Sequence, residues 1–140
     1  MKIKEFQKKI ADALNGVEEL VQGGCKVFAE DTMGLGFEIA ECLNVGGVSV
    51  VVVTPRLQRN GDCAGSIPME CTLAVQCSEK PALNREVPGH LTALDAAEIV
   101  AHALDGRQFC LVSIDQTADE RTKTITATAS FNTTIHLTND

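Results

Sequence analysis

Two long segments of this chain alternate between apolar and polar residues, at positions 66–79 and 122–137. A period of two places every second side chain on the same side of a β-sheet. The apolar sets are Ile67, Met69, Cys71, Leu73, Val75 and Cys77 in the first segment, and Ile125, Ala127, Ala129, Phe131, Ile135 and Leu137 in the second. The pattern predicts a long antiparallel sheet with one buried face and one polar face.

Helices are predicted where apolar residues recur three and four positions apart. The segment 2–21 has this spacing, and Asn15-Gly16 is expected to interrupt the helix because glycine disfavours a helix interior. A short helix is predicted over 37–43. A further helix begins after Thr92, with Asp95 as its capping-box partner.

Shorter strands are predicted at 25–29, 48–54 and 109–114. The segment 48–54 is so rich in valine that it predicts a strand buried on both faces. Residues 57–65 are polar and predict a connection between strands. Residues 80–90 contain two prolines and no periodicity, and they predict an extended loop.

The order of these elements predicts one domain spanning residues 1–140, with an α+β fold. The expected architecture is a two-layer sandwich, in which helices pack on one face of a mostly antiparallel sheet. A chain of 140 residues is long enough for one such domain with a real core.

The composition narrows the classes of function. A net charge of −7 disfavours binding to a phosphate backbone, so no specific nucleic acid partner is expected. Four lysines near the N-terminus (Lys2, Lys4, Lys8 and Lys9) are best explained as a solvated helix face. No apolar run is long enough to span a bilayer, and the N-terminus lacks the apolar centre of a signal peptide. We therefore expect no membrane partner and a reducing compartment.

The chain has six cysteines, which are Cys25, Cys42, Cys63, Cys71, Cys77 and Cys110. No CxxC motif is present, and Cys71 and Cys77 share a strand face at a separation of roughly 20 Å. In a reducing compartment most of these residues are expected to be buried, reduced and inert. Cys63 lies in a polar stretch and is the cysteine most expected to be exposed.

Candidate catalytic chemistry is sparse. The three histidines, His90, His102 and His136, have no metal-ligand spacing, and there is no nucleophile-elbow motif. The acidic segment 115–120 fits a solvated turn better than a calcium site. We therefore expect no catalytic residues, no cofactor and no metal site.

The polar side of the last predicted strand is the most unusual surface in the sequence. Its residues are almost uncharged: Thr122, Thr124, Thr126, Thr128, Ser130, Asn132, Thr134 and His136. Two interpretations are open. The face is simply solvated, or it is a flat surface that pairs with another subunit, with Thr126, Thr128 and Asn132 as candidate contacts. A long terminal strand near a sheet edge would also suit strand addition.

The stretch 78–106 resembles small bacteriophage tail proteins of the tail-terminator and tail-completion type. The residues that carry the likeness are S-E-K-P-A-L-N-R, a Pro/Gly loop, and then L-T-A-L-D-A-A-E-I-V-A-H-A-L-D-G. The preceding G-G-V-S-V-V-V-V-T-P and the order of elements also fit this family.

This resemblance implies a non-enzymatic protein that forms a homohexameric ring, caps the tail tube and joins it to the head connector. Its partners would be copies of itself, tail-tube proteins and head-connector proteins. It would act in the bacterial cytoplasm during assembly and then remain in the virion. The loop at 80–90, especially Asn84 and Arg85, is the candidate contact with a subunit or with the tube, and an Asn84 side chain that caps a turn is the alternative.

Two other functions are open from the residues alone. The first is a small-molecule-binding or regulatory domain, whose ligand would lie between the helices and the sheet. The second is a metal-dependent or thiol enzyme that pairs Cys63 or Cys25 with a histidine.

Overall fold

The structure is a computed structural model that describes residues 2–30, 35–59, 67–106 and 108–137; the side chains at 59, 67, 68 and 137 lie outside the description. The helices are α1 (Ile3–Asn15), α2 (Glu18–Gln22), α3 (Leu35–Asn44), α4 (Pro81–Asn84) and α5 (Ala93–Leu104). The strands are β1 (Cys25–Ala29), β2 (Val48–Val52), β3 (Arg56–Arg59), β4 (Ile67–Glu79), β5 (Cys110–Asp119) and β6 (Thr124–Leu137).

The strands form a mixed sheet in the order β1-β2-β4-β6-β5, and β3 pairs with β4 next to β2. β1 and β2 are parallel, and the other pairs are antiparallel. The two strands with alternating sequences, β4 and β6, are neighbours at the centre and pair along their length. The predicted α+β fold with a mostly antiparallel sheet is confirmed.

The core lies between the sheet and the helices α1, α2 and α5. The alternation has the predicted phase, because the odd-numbered residues Leu73 and Val75 on β4 and Ala129 and Phe131 on β6 are fully buried. Phe131 packs edge-on against Phe109 with ring centroids 6.3 Å apart. Burial of a side chain of this size contributes about 1.5–3 kcal/mol.

The first helical segment breaks where the sequence predicts. α1 ends at Asn15, Gly16 caps it, and α2 begins at Glu18. α1 also buries one polar side chain, Gln7, whose Nε2 donates to the carbonyl oxygen of Val52 at 2.8 Å. This hydrogen bond ties the helix to the end of β2.

α3 differs from the other helices because it packs on the opposite face of the sheet. Phe28 and Val51 point away from the main core and form a second small cluster with Cys42 of α3. Val50 and Val52 point toward the main core, as alternation along a strand requires. The expectation of helices on one face therefore applies to α1, α2 and α5, while α3 covers the other side of β1 and β2.

Three segments differ from their predicted form. The polar connection at 57–65 begins as β3, because β2 pairs with only one end of β4 and leaves the other end open for Arg56–Arg59. β5 continues to Asp119 through the predicted turn, since the long β6 offers it a partner. The loop at 80–90 contains α4 and a series of turns.

Candidate interaction surface and adjoining cleft

The polar face of the sheet is uncovered across β4, β6 and β5. Cross-strand pairs on this face include Ser78 with Thr126 and Gln76 with Thr128. The hydroxyl oxygens of Ser78 and Thr126 are 2.9 Å apart and share a hydrogen bond. Thr126 and Thr128 are half-buried among their neighbours, and Asn132 is exposed. The structure thus brings these three candidate residues together on one flat face that we call the open face.

The position of β6 corrects one expectation. β6 is not near a sheet edge, because β4 flanks it on one side and β5 on the other as far as Asn132. Strand addition to this part of β6 is therefore blocked by β5.

The edge strand on this side of the sheet is β5, and its first part is protected. A bulge interrupts its pairing between Leu111 and Ser113, and the carboxylate of Asp105 accepts a hydrogen bond from the backbone nitrogen of Leu111 at 3.2 Å. Bulges and inward-facing charges both oppose pairing with a foreign strand. A contact with another molecule on this side is therefore expected to use side chains.

Asn84 does not belong to the open face, and its side chain is 1% exposed. Its Nδ2 donates to the carbonyl oxygen of Leu91 at 2.7 Å and to Oε1 of Glu79 at 3.3 Å. Its Oδ1 lies 3.1 Å from Nδ1 of His90. Asn84 therefore joins the two ends of the loop at 80–90, and its buried side chain leaves no surface for a partner.

Arg85 lies beside this network and remains accessible, with 62% of its side chain exposed. Its Nε is 3.8 Å from Oε1 of Glu79, and an ion pair this long and exposed contributes little to stability. Of the two loop candidates, Arg85 alone has a side chain that could reach another molecule.

Glu79 is the residue of this region that the sequence reasoning missed. It is 1% exposed at the end of β4, and its carboxylate accepts hydrogen bonds from Asn84 and from the backbone nitrogen of Ala93 at the start of α5. A negative charge is favoured at a helix N-terminus. The signal was present, because Glu79 continues the odd-numbered apolar phase of β4 and was bound to face the core.

A cleft of about 700 Å³ opens at the end of the sheet beside this network, lined by Gly24, Cys25, Lys26, Glu41, Cys42, Asn44, Val45, Gly47 and His90. Gly24 has a positive φ, and a Cβ there would lie 2.5 Å from the His90 ring. Gly23 meets the side chain of Leu91 in the same way. The two glycines therefore form the seat of the segment 90–91 as well as the end of α2.

His90 is held in one tautomer. Its Nδ1 lies 2.7 Å from the carbonyl oxygen of Gly46 and close to Oδ1 of Asn84, and both oxygens are acceptors in this arrangement. The proton of the neutral ring must therefore be on Nδ1, which leaves Nε2 as its acceptor.

The thiols near this cleft are not in a nucleophilic state. Burial, with a smaller contribution from Cys42, raises the pKa of Cys25 to about 12. Burial also raises the pKa of Cys42. The thiolate is the reactive form of cysteine, so these residues are essentially unreactive near neutral pH. Cys63, the other candidate nucleophile, lies outside the described residues.

Metal ligands do not gather in the described part of the chain, where no group of three His, Cys, Asp or Glu side chains could hold an ion. His102 and His136 are exposed on α5 and on the open face. Within the same residues, no helix has the length and apolar character needed to cross a membrane.

Comparison with known proteins gives little guidance. No protein family matches the chain, and no curated protein matches it. One similar solved structure comes from Akkermansia muciniphila and is described as lacking its transmembrane region. It shares 16% identity and a TM-score of 0.32, over all of this chain and 88% of that one. A similarity at this level carries no inference about fold or function.

Proposed function

We propose that this protein is a non-enzymatic structural component that works by docking onto copies of itself and onto neighbouring parts of an assembly. The observation that carries the proposal is the open face, which exposes three neighbouring strands with hydroxyl and amide side chains and few charges. Such a surface can enter an interface at a lower desolvation cost than a charged one.

The resemblance to phage tail terminators gives the proposal its specific form. In that form the protein assembles into a ring during virion assembly, and the ring engages the tail tube and the head connector. The unreactive thiols near the cleft support a role without covalent catalysis.

The open face can be tested by adding charge to it. Thr128→Lys and Ser130→Lys place ammonium groups at its centre, and Ala13→Lys on the exposed side of α1 is the matched control. We expect the two face variants to weaken assembly, as measured by native mass spectrometry and negative-stain electron microscopy, and the control to assemble normally. Unchanged assembly in both face variants would remove the open face from the proposal.

A second function is favoured by the cleft. Its lining combines a cation (Lys26), an anion (Glu41) and the Nε2 acceptor of His90, which suits a small polar ligand. A ligand screen by thermal shift tests this function, with Lys26→Ala and Glu41→Ala as variants because both side chains are exposed. A ligand that raises the melting temperature of the wild type but not of these variants would favour it.

A further inference from the structure

Two unpartnered apolar features lie at opposite edges of the sheet. The first is Phe37 on α3, whose side chain is 70% exposed, with Val45 at 76% just beyond the end of the same helix. The second is a groove of about 450 Å³ between α4 and the β5–β6 hairpin. Its apolar walls are Pro81, Ala82, Ala118 and Ile125.

The groove exists because the hairpin extends past the helices that cover the rest of the sheet. Ala118 and Ile125 are a cross-strand pair on the core side of the sheet, yet Ala118 is exposed and Ile125 only half-buried. Apolar side chains with the phase of the core are thus left open to solvent, where a further apolar group would complete the packing.

One molecule cannot fill its own groove. α3 covers β1 and β2 on the open-face side, whereas the groove lies beside β5 and β6 on the side of the main core. Across the five-strand path these edges are about 19 Å apart, at about 4.8 Å per strand. A ring from a second copy, however, meets no such limit.

The geometry points to a head-to-tail contact in which Phe37 of one copy enters the Pro81–Ile125 groove of the next. Because the inserted side chain and the groove are different surfaces, the contact is heterologous and repeats from copy to copy, and it closes into a ring if the rotation permits. This inference rests on the proposed self-assembly and names the surfaces that produce it.

The charges near the two features favour this orientation. Exposed Glu38 and Glu41 lie beside Phe37 on α3, and exposed Lys123 lines the groove. Asp119 also lines the groove, but its carboxylate accepts hydrogen bonds from the backbone of the hairpin turn. Glu120 adds one negative charge, so Lys123 supplies the attraction that aligns the acidic side of α3.

Two variants test the contact from its two sides. Phe37→Asp removes the inserted ring, and Ala118→Arg fills the groove. Val21→Asp is the matched control for the first, since Val21 is a 55% exposed apolar residue on α2, and Ala13→Arg is the control for the second. All four positions are exposed, and thermal unfolding by circular dichroism confirms that each variant folds.

Mass photometry and sedimentation velocity give the readout. Each test variant is expected to weaken association by about tenfold to a hundredfold and to run as a monomer, while the controls assemble like the wild type. An equimolar mixture of the two test variants should form heterodimers and nothing larger, because each variant retains one half of the contact.

The remaining outcomes overturn the inference in distinguishable ways. If both test variants assemble like the wild type, the contact is wrong and self-assembly stands. If each is monomeric but the mixture does not pair, the loss has another cause and the contact is also wrong. If the wild type is monomeric at every concentration, both this contact and the proposed self-assembly fail.

Discussion

The amide nitrogen of Asn84 donates to the carbonyl oxygen of Leu91 at 2.7 Å and thereby closes the loop that joins β4 to α5. The Asn84 side chain is buried, so its loss would leave the Leu91 carbonyl without this donor and would remove a partner of the Glu79 carboxylate. An unsatisfied buried polar group costs about 1–3 kcal/mol.

Asn84→Ala is therefore expected to lower the free energy of unfolding by about 1–3 kcal/mol in urea denaturation. Arg85→Ala, at the adjacent exposed position, is the control and should change it by less than about 0.5 kcal/mol. Equal effects of the two substitutions would contradict the structural role given to Asn84.

Glu79→Ala is expected to cost more, about 2–3 kcal/mol, because its carboxylate satisfies the first backbone nitrogen of α5 as well as Asn84. Glu79→Gln keeps one acceptor oxygen and should recover part of that loss. Amide hydrogen exchange gives a local readout, and faster exchange at Ala93 in the alanine variant is the expected result. Protection that is unaffected in that variant would argue against the hydrogen bond.

Two glycines form a matched pair. Gly24→Ala should destabilise the fold by at least about 1 kcal/mol, since φ is +79° and the added methyl group meets the His90 ring. Gly36→Ala in α3 meets nothing within 4 Å and should stabilise the protein by about 0.5–1 kcal/mol. The signs of the two changes in melting temperature are the test.

The buried thiols give a pH dependence with a defined sign. Burial raises the pKa of Cys71 to about 11 and raises that of Cys77 as well, so both remain protonated in the folded state at a pH where they ionise in the unfolded chain. Their contribution is complete below the ordinary thiol pKa and is lost as the pH rises through the folded value.

The free energy of unfolding should therefore fall above about pH 8.5, with a limiting slope of about 1.4 kcal/mol per pH unit for each such thiol. Cys77→Ala should make this slope shallower, whereas Cys110→Ala, at an exposed position, should not. Denaturation series at pH 7 to 10 measure it, and identical slopes in the two variants would contradict the assignment.

Several elements could be predicted because their signals are local. The alternation in β4 and β6, the break in the first helix and the capping box at Thr92 each depend on residues close together in sequence, and all three are confirmed. The valines of β2 predicted a strand buried on both faces, which already required a cover on the second face. α3 is that cover, at Val51.

Other features could not be predicted because they depend on residues distant in sequence. His90 meets Gly46 across 44 positions, and this contact makes the loop at 80–90 a closed structure with a buried Asn84. The groove beside Ile125 depends on how far the β5–β6 hairpin extends beyond α5. A single chain also contains no record of which exposed residues meet a second copy.

The account predicts most directly that this protein associates with itself. The native mass of the wild-type protein, measured by mass photometry over a hundredfold range of concentration, should shift from one chain toward a closed multiple, with six chains as the expected ring. A mass of one chain at every concentration, together with a small molecule that binds the cleft at His90, would contradict it.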